Sequence, residues 1–77
     1  MQINYSKQAI KFLKRQDRIT RKRIVDAIST LPLVDVKKLQ GEINTYRLRV
    51  GDFRVIFDKH GNIIYISKID NRGEIYK

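Results

Sequence analysis

Gly51-Asp52 stands between two alternating segments, Tyr46-Arg47-Leu48-Arg49-Val50 and Phe53-Arg54-Val55-Ile56-Phe57. No other feature constrains the fold of this chain as much. Glycine at the first position of a two-residue loop suits a type II′ turn, whose twist matches that of the strands it joins. Such a turn fixes the register: Val50 opposite Phe53, Arg49 opposite Arg54, Leu48 opposite Val55. Side chains alternate across a strand. Tyr46, Leu48, Val50, Phe53, Val55 and Phe57 therefore share one face, fit to pack on helices, and Arg47, Arg49 and Arg54 share the other. A one-residue slip would exchange the two faces.

Like charges directly opposite one another destabilise a sheet by roughly 0.2–1 kcal/mol. A purely structural hairpin has no reason to set Arg49 against Arg54, so a negative group is expected beside them. A phosphodiester fits best, because the planar guanidinium fork matches phosphate oxygens two at a time. On this reading, Arg54→Ala leaves stability unchanged or slightly raised. The charge of the whole chain points the same way. Seventeen Lys and Arg against eight Asp and Glu leave +9 on 77 residues, a field that attracts polyanions. Nucleic acid, an anionic membrane surface or an acidic protein could each answer it. The plainer alternative is a solvated basic face with no ligand.

The remainder of the chain supplies what the hairpin packs on. Met1 to Tyr5 alternates like a short strand. Ser6 can cap a helix with Ala9, Ile10, Phe12 and Leu13 on its apolar side and Lys7, Lys11, Lys14 and Arg15 in water. Asp17 or Thr20 can cap a second helix. Its Ile24, Ala27, Ile28 and Leu31 follow helical spacing, and Pro32 ends it. The short link at Gln16-Asp17 implies an antiparallel helix pair. From Pro32 to Asn44 the chain reads as a connection turning at Gly41. His60-Gly61-Asn62 is a turn before an isoleucine-rich strand, Ile63 to Ile69. The expected fold is α+β, one domain over 1–77: a short strand, an antiparallel two-helix hairpin, then a meander of three or four antiparallel strands.

Several classes are excluded. Without cysteine there is no disulfide and no thiolate metal site. No apolar run is long enough to span a bilayer, and the polar amino terminus is not a signal peptide, so a cytoplasmic location with no membrane partner is expected. His60 sits in a turn, no acidic pair is placed for Mg²⁺, and Ser6 and Ser67 lack a base. Any chemistry is expected to need no metal and no small-molecule cofactor, and to rest on Arg, Lys and Tyr. Near the carboxyl end stand Lys68, Asp70, Arg72 and Tyr76. Tyr76 either completes a small core or stacks on a base.

Taken in order, Lys38-Leu39-Gln40-Gly41, the block from Tyr46 to Phe57, and Arg72 shortly before Ile75-Tyr76 resemble the RelE/ParE toxin superfamily along almost the whole chain. The block "YRLRVGDFRVIF" is the most specific part. The resemblance implies a toxin of a type II toxin–antitoxin system. In its RelE branch it implies an endoribonuclease that cuts mRNA in the ribosomal A site without a metal, and a cognate acidic antitoxin that wraps and silences it. By position, it implies catalytic roles for Arg49, Arg54, Arg72 and Tyr76. Arg47 and Lys68 are expected to bind RNA, and Arg54 to contact the scissile phosphate. The prototype carries lysines where this chain has Arg47 and Arg49, and a guanidinium keeps its proton far above neutral pH. Neither arginine therefore serves as a general base. Tyr76 or Lys68 is the candidate proton shuttle. The alternatives within the superfamily are a ParE-type gyrase inhibitor with no catalysis and a degenerate, non-toxic module that only binds an antitoxin.

Overall fold

Each helix starts where a side chain can take up an orphan backbone N–H. The computed structural model describes residues 2–31, 37–38 and 44–71. In α1 (Lys7–Lys14) the Ser6 hydroxyl accepts from the Ala9 N–H at 3.1 Å. In α2 (Arg18–Ser29) an Asp17 carboxylate oxygen accepts from the Thr20 N–H at 2.7 Å, so Asp17 and not Thr20 is the cap. Both are residues favoured at N-caps for this reason. The expected ending at Pro32, the turn at Gly41 and the Lys38–Gly41 segment lie outside the described residues, apart from the backbone of 37–38.

Among the described residues, five strands follow in space as β1 (Gln2–Tyr5), β5 (Ile63–Asn71), β4 (Phe53–His60), β3 (Thr45–Val50) and β2 (Lys37–Lys38). The α+β class and the order of elements hold. Pairing adds what alternation alone does not specify. β1 runs parallel to β5, so the sheet is mixed, and the segment read as a connection contains the short edge strand β2, antiparallel to β3. The β3–β4 register is the one dictated by the turn: Val50 opposite Phe53, Arg49 opposite Arg54, Leu48 opposite Val55, Tyr46 opposite Phe57. Gly51 has φ +58°, and no described non-glycine residue has positive φ. That excludes a type I′ turn, which needs positive φ at both positions, and agrees with type II′.

One face of the sheet carries the core. Leu48, Val50, Val55, Phe57, Ile64, Ile66 and Ile69 bury against Ala9 and Leu13 of α1, Ile24 and Ile28 of α2, and Leu31. The principal contacts of the helices are with strands, α1 over β5 and α2 over β3. Phe12 meets Phe53 edge to face at 5.9 Å, and Tyr46 stacks on Phe57 at 5.5 Å, extending the core toward both ends of the hairpin. Ile10, expected on the packed side of α1, is 41% exposed. It falls at the margin of an apolar stripe that Ala9 and Leu13 already define.

β5 outruns its partner. β1 ends at Tyr5, opposite Ile66, which would leave the backbone beyond it unpaired. The start of α1 takes over. The Ser6 N–H donates to the Ile66 carbonyl at 2.9 Å, and the Ser6 hydroxyl donates to the Ser67 carbonyl at 2.9 Å. The Gln8 side chain then donates to the Ile69 carbonyl at 2.9 Å and accepts from the Ile69 N–H at 3.0 Å. An exposed strand edge is a liability in a small sheet, and here two polar side chains of a helix close it.

Candidate functional site

The opposite sheet face is covered by no described helix. Its residues form cross-strand rows. Nearest the β3–β4 turn, Arg49, Arg54 and Asp70 stand side by side on β3, β4 and β5. The next row is Arg47, Ile56 and Lys68. Farther along lie Thr45, Asp58 and Tyr65, with the Thr45 hydroxyl donating to Asp58 at 2.7 Å. The face is thus cationic at the turn end and becomes polar and aromatic away from it. Arg23 of α2 reaches the same end. A Cβ placed on Gly51 would lie 3.4 Å from its Nη2.

Of the six residues predicted from sequence, Arg47, Arg49, Arg54 and Lys68 come together on this face. Arg72 and Tyr76 lie outside the described residues. Asp70 was not among the six, and it changes the electrostatics. Arg54 Nη2 donates to Asp70 Oδ2 at 2.7 Å, and Arg54 Nε donates to Oδ1 at 3.2 Å. The two side chains are only 25% and 19% exposed, and Lys68 Nζ approaches the same carboxylate at 3.8 Å. From sequence, a negative group is expected beside the Arg49–Arg54 pair, with a phosphodiester as the best fit. One negative group beside it is the chain's own Asp70. The corollary that Arg54→Ala is neutral or stabilising is therefore corrected, because truncation would orphan a mostly buried carboxylate.

A β-bulge explains how Asp70 gets there. Ile56 pairs with Lys68 and Phe57 pairs with Ile66, so Ser67 is an extra residue on β5. Its hydroxyl donates to the Ile56 carbonyl at 3.1 Å, tying the bulge to β4. Before the bulge Ile64 and Ile66 face the core. After it Ile69 does, and Lys68 and Asp70 turn outward. Without the extra residue, strict alternation would direct Lys68 and Asp70 at the helices. Bulges commonly re-aim side chains in this way beside functional sites. Reading the run only as isoleucine-rich passes over the sign of this phase change, a lysine and an aspartate at positions of core-facing parity.

Chemically, the row offers planar donors for a phosphate, a flexible ammonium beside them and a carboxylate that holds one guanidinium in place. Among the described residues, no cluster of three His, Cys, Asp or Glu side chains stands ready to hold a metal ion. None of the described helices is long and apolar enough to cross a membrane.

Comparison with known proteins places this arrangement in context. Residues 3–76 match the family described as the ParE toxin of the type II toxin–antitoxin system parDE. Toxin RelE3 of Methanocaldococcus jannaschii is 32% identical in an alignment covering 99% of this chain and 96% of that protein. The fold is similar to the RelB–RelE antitoxin–toxin complex of Methanococcus jannaschii, with TM-score 0.75 and 29% identity over 96% of this chain and 95% of that one. It is also similar to the RelE–RelB complex of Pyrococcus horikoshii, with TM-score 0.72 and 25% identity over 94% of each chain.

Proposed function

The chain belongs to the RelE/ParE superfamily of type II toxin–antitoxin toxins, and from that premise we propose that it is an endoribonuclease that cuts mRNA in the ribosomal A site. One observation carries the reading: Arg47, Arg49 and Arg54 share with Lys68 a sheet face that no described helix covers, and Arg54 is ion-paired within it. In the proposed reaction a 2′-hydroxyl of the mRNA passes its proton to solvent water as it attacks the adjacent phosphorus in line. The P–O5′ bond breaks, the 5′-oxygen leaves with a proton, and a 2′,3′-cyclic phosphate remains. Arg49 and Arg54 stabilise the charge that develops on the phosphorane oxygens, the kind of electrostatic assistance that dominates many active sites. Arg47 and Lys68 hold the flanking strand. Lys68 or Tyr76 supplies the proton to the leaving oxygen, and Arg72 completes the cationic set. The ribosome contributes the in-line geometry, since positioning accounts for much of such a barrier. A cognate acidic antitoxin answers the +9 charge of the chain, in keeping with the RelB partner in the complexes above.

The description of the matched family as a ParE toxin favours a second reading, gyrase inhibition without catalysis. Induced expression followed by mapping of mRNA 5′ ends separates the two. The nuclease reading expects codon-phased cuts within translated regions, and purified protein that cleaves mRNA on programmed ribosomes but leaves free RNA intact. Intact mRNA with broken chromosomal DNA would establish the second reading instead.

A further inference from the structure

We infer that Asp70 is the positioning residue for Arg54, and that the Ser67 bulge and the Gln8 clamp on Ile69 exist to hold it there. The inference rests on the nuclease reading above. Arg54 lies between a like charge, Arg49 on β3, and an opposite one, Asp70 on β5. Left to Arg49 alone, the guanidinium would be driven off the sheet, and its long side chain would sample many rotamers. The two-point contact at 2.7 and 3.2 Å fixes both the position of the fork and the plane in which it lies.

Asp70 is itself braced. Its neighbour Ile69 is fully buried and has both backbone polar groups engaged by Gln8 of α1. The bulge that turns residue 70 outward is tied on both sides, the Ser67 hydroxyl donating to Ile56 and the Ser67 carbonyl accepting from Ser6. The chain of contacts runs from helix to strand to carboxylate to guanidinium, and each link leaves the next little freedom. Rigid support of this kind distinguishes a donor aimed at a transition state from one that merely attracts an anion. Lys68, at 3.8 Å from the same carboxylate, is drawn toward the same point.

The test is a double-variant cycle in single-turnover cleavage of A-site mRNA on programmed ribosomes, using Asp70→Asn and Arg54→Ala. Asp70→Asn is nearly isosteric, removes the charge and presents an NH₂ to the guanidinium. In the wild-type background it should slow cleavage about 10²-fold, the effect of roughly 1 Å of misplacement. In the Arg54→Ala background the same change should cost nothing further, because the group it positions is gone. A folding defect would lower the rate by the same factor in both backgrounds, and equal losses would overturn the inference. Asp70→Glu, which keeps the charge, should recover part of the rate, and a Glu variant no better than Asn would also count against the role. The Arg54 Nε–H resonance should be sharp in the wild type and broadened in Asp70→Asn. A sharp resonance in both would show that Asp70 does not order the side chain. Wild-type protein that leaves A-site mRNA intact would sink the nuclease reading and this role together, whereas an active wild type with a fully active Asp70→Asn would sink only the role.

Discussion

Replacing Arg54 or Arg49 by alanine should move stability in opposite directions, although the two face each other as like charges. Arg54→Ala relieves that repulsion, worth about 0.2–1 kcal/mol, but strips Asp70 of its two-point partner. Removing one member of a fully buried ion pair costs roughly 3–5 kcal/mol. Here Asp70 keeps a fifth of its side-chain surface in water and Lys68 at 3.8 Å, which places the cost lower, at about 2–3 kcal/mol. The net destabilisation is then about 2 kcal/mol, and for a domain of this size the melting temperature should fall by roughly 8–16 °C. Arg49→Ala removes the repulsion without orphaning Asp70, so it should melt at or slightly above the wild type. Thermal melting by circular dichroism reads both, beside a growth assay in which Arg54→Ala loses toxicity out of proportion to its folded fraction. The nuclease reading expects about 10²–10³ in rate from the loss of one preorganised donor. Arg54→Ala melting as high as Arg49→Ala would refute the energetic assignment of the Arg54–Asp70 pair. A folded, fully toxic Arg54→Ala would refute the placement of Arg54 at the RNA.

Leu48→Ala truncates a side chain only 4% exposed in the core. It should cost roughly 2–5 kcal/mol, abolishing toxicity through unfolding, as chemical denaturation would show. Gly51→Ala forces φ +58° on a residue with a Cβ, a strain of about 1–2 kcal/mol that should appear as a lower melting temperature. The nearest neighbour of the new Cβ is the yielding end of Arg23, so backbone strain and not crowding sets the loss. The Asp17 carboxyl is held below the usual carboxylate range, chiefly by hydrogen bonds from Thr20. A depressed folded-state pKa means stability that is present above the unfolded value and lost as pH falls through the folded one. Asn caps without a titrating proton, so any advantage of the wild type over Asp17→Asn at pH 7 should begin to shrink as pH falls below about 4 and be gone below the folded-state value, as paired melts across that range would reveal.

What sequence reveals here divides by distance along the chain. The β3–β4 register, the two faces of that hairpin and the Ser6 cap are local matters, each decided by a turn glycine or by a hydroxyl within three residues of its partner, and all are legible; the second cap is as local, but Asp17 and Thr20 are both eligible until the Asp17–Thr20 contact is seen. The pairing of β1 with β5 joins residues about sixty apart, and nothing in the alternation of Ile3 and Tyr5 says which strand they meet or in which direction. Asp70 hides for a different reason. Counting alternately from Ile64 and Ile66 would place residue 70 on the core face, where an aspartate makes no sense, and the contradiction resolves only through the extra residue at Ser67. Lys68 and Asp70, two charged residues that share the parity of Ile64 and Ile66, are the trace the bulge leaves in the sequence.

The position of β5 sets a timetable for the molecule. It lies between β1 and β4 in the sheet yet is the last described strand to be synthesised. While a ribosome is still making the chain, the first strand has no neighbour to pair with, and Ser6 and Gln8 have no backbone to engage. The arginines of the hairpin lack Asp70 until residue 70 exists. Non-local pairing of this kind delays folding, because the intervening chain must be ordered before any contact repays it. The nascent polypeptide therefore carries its cations early and acquires the sheet geometry that orders them only once β5 has joined.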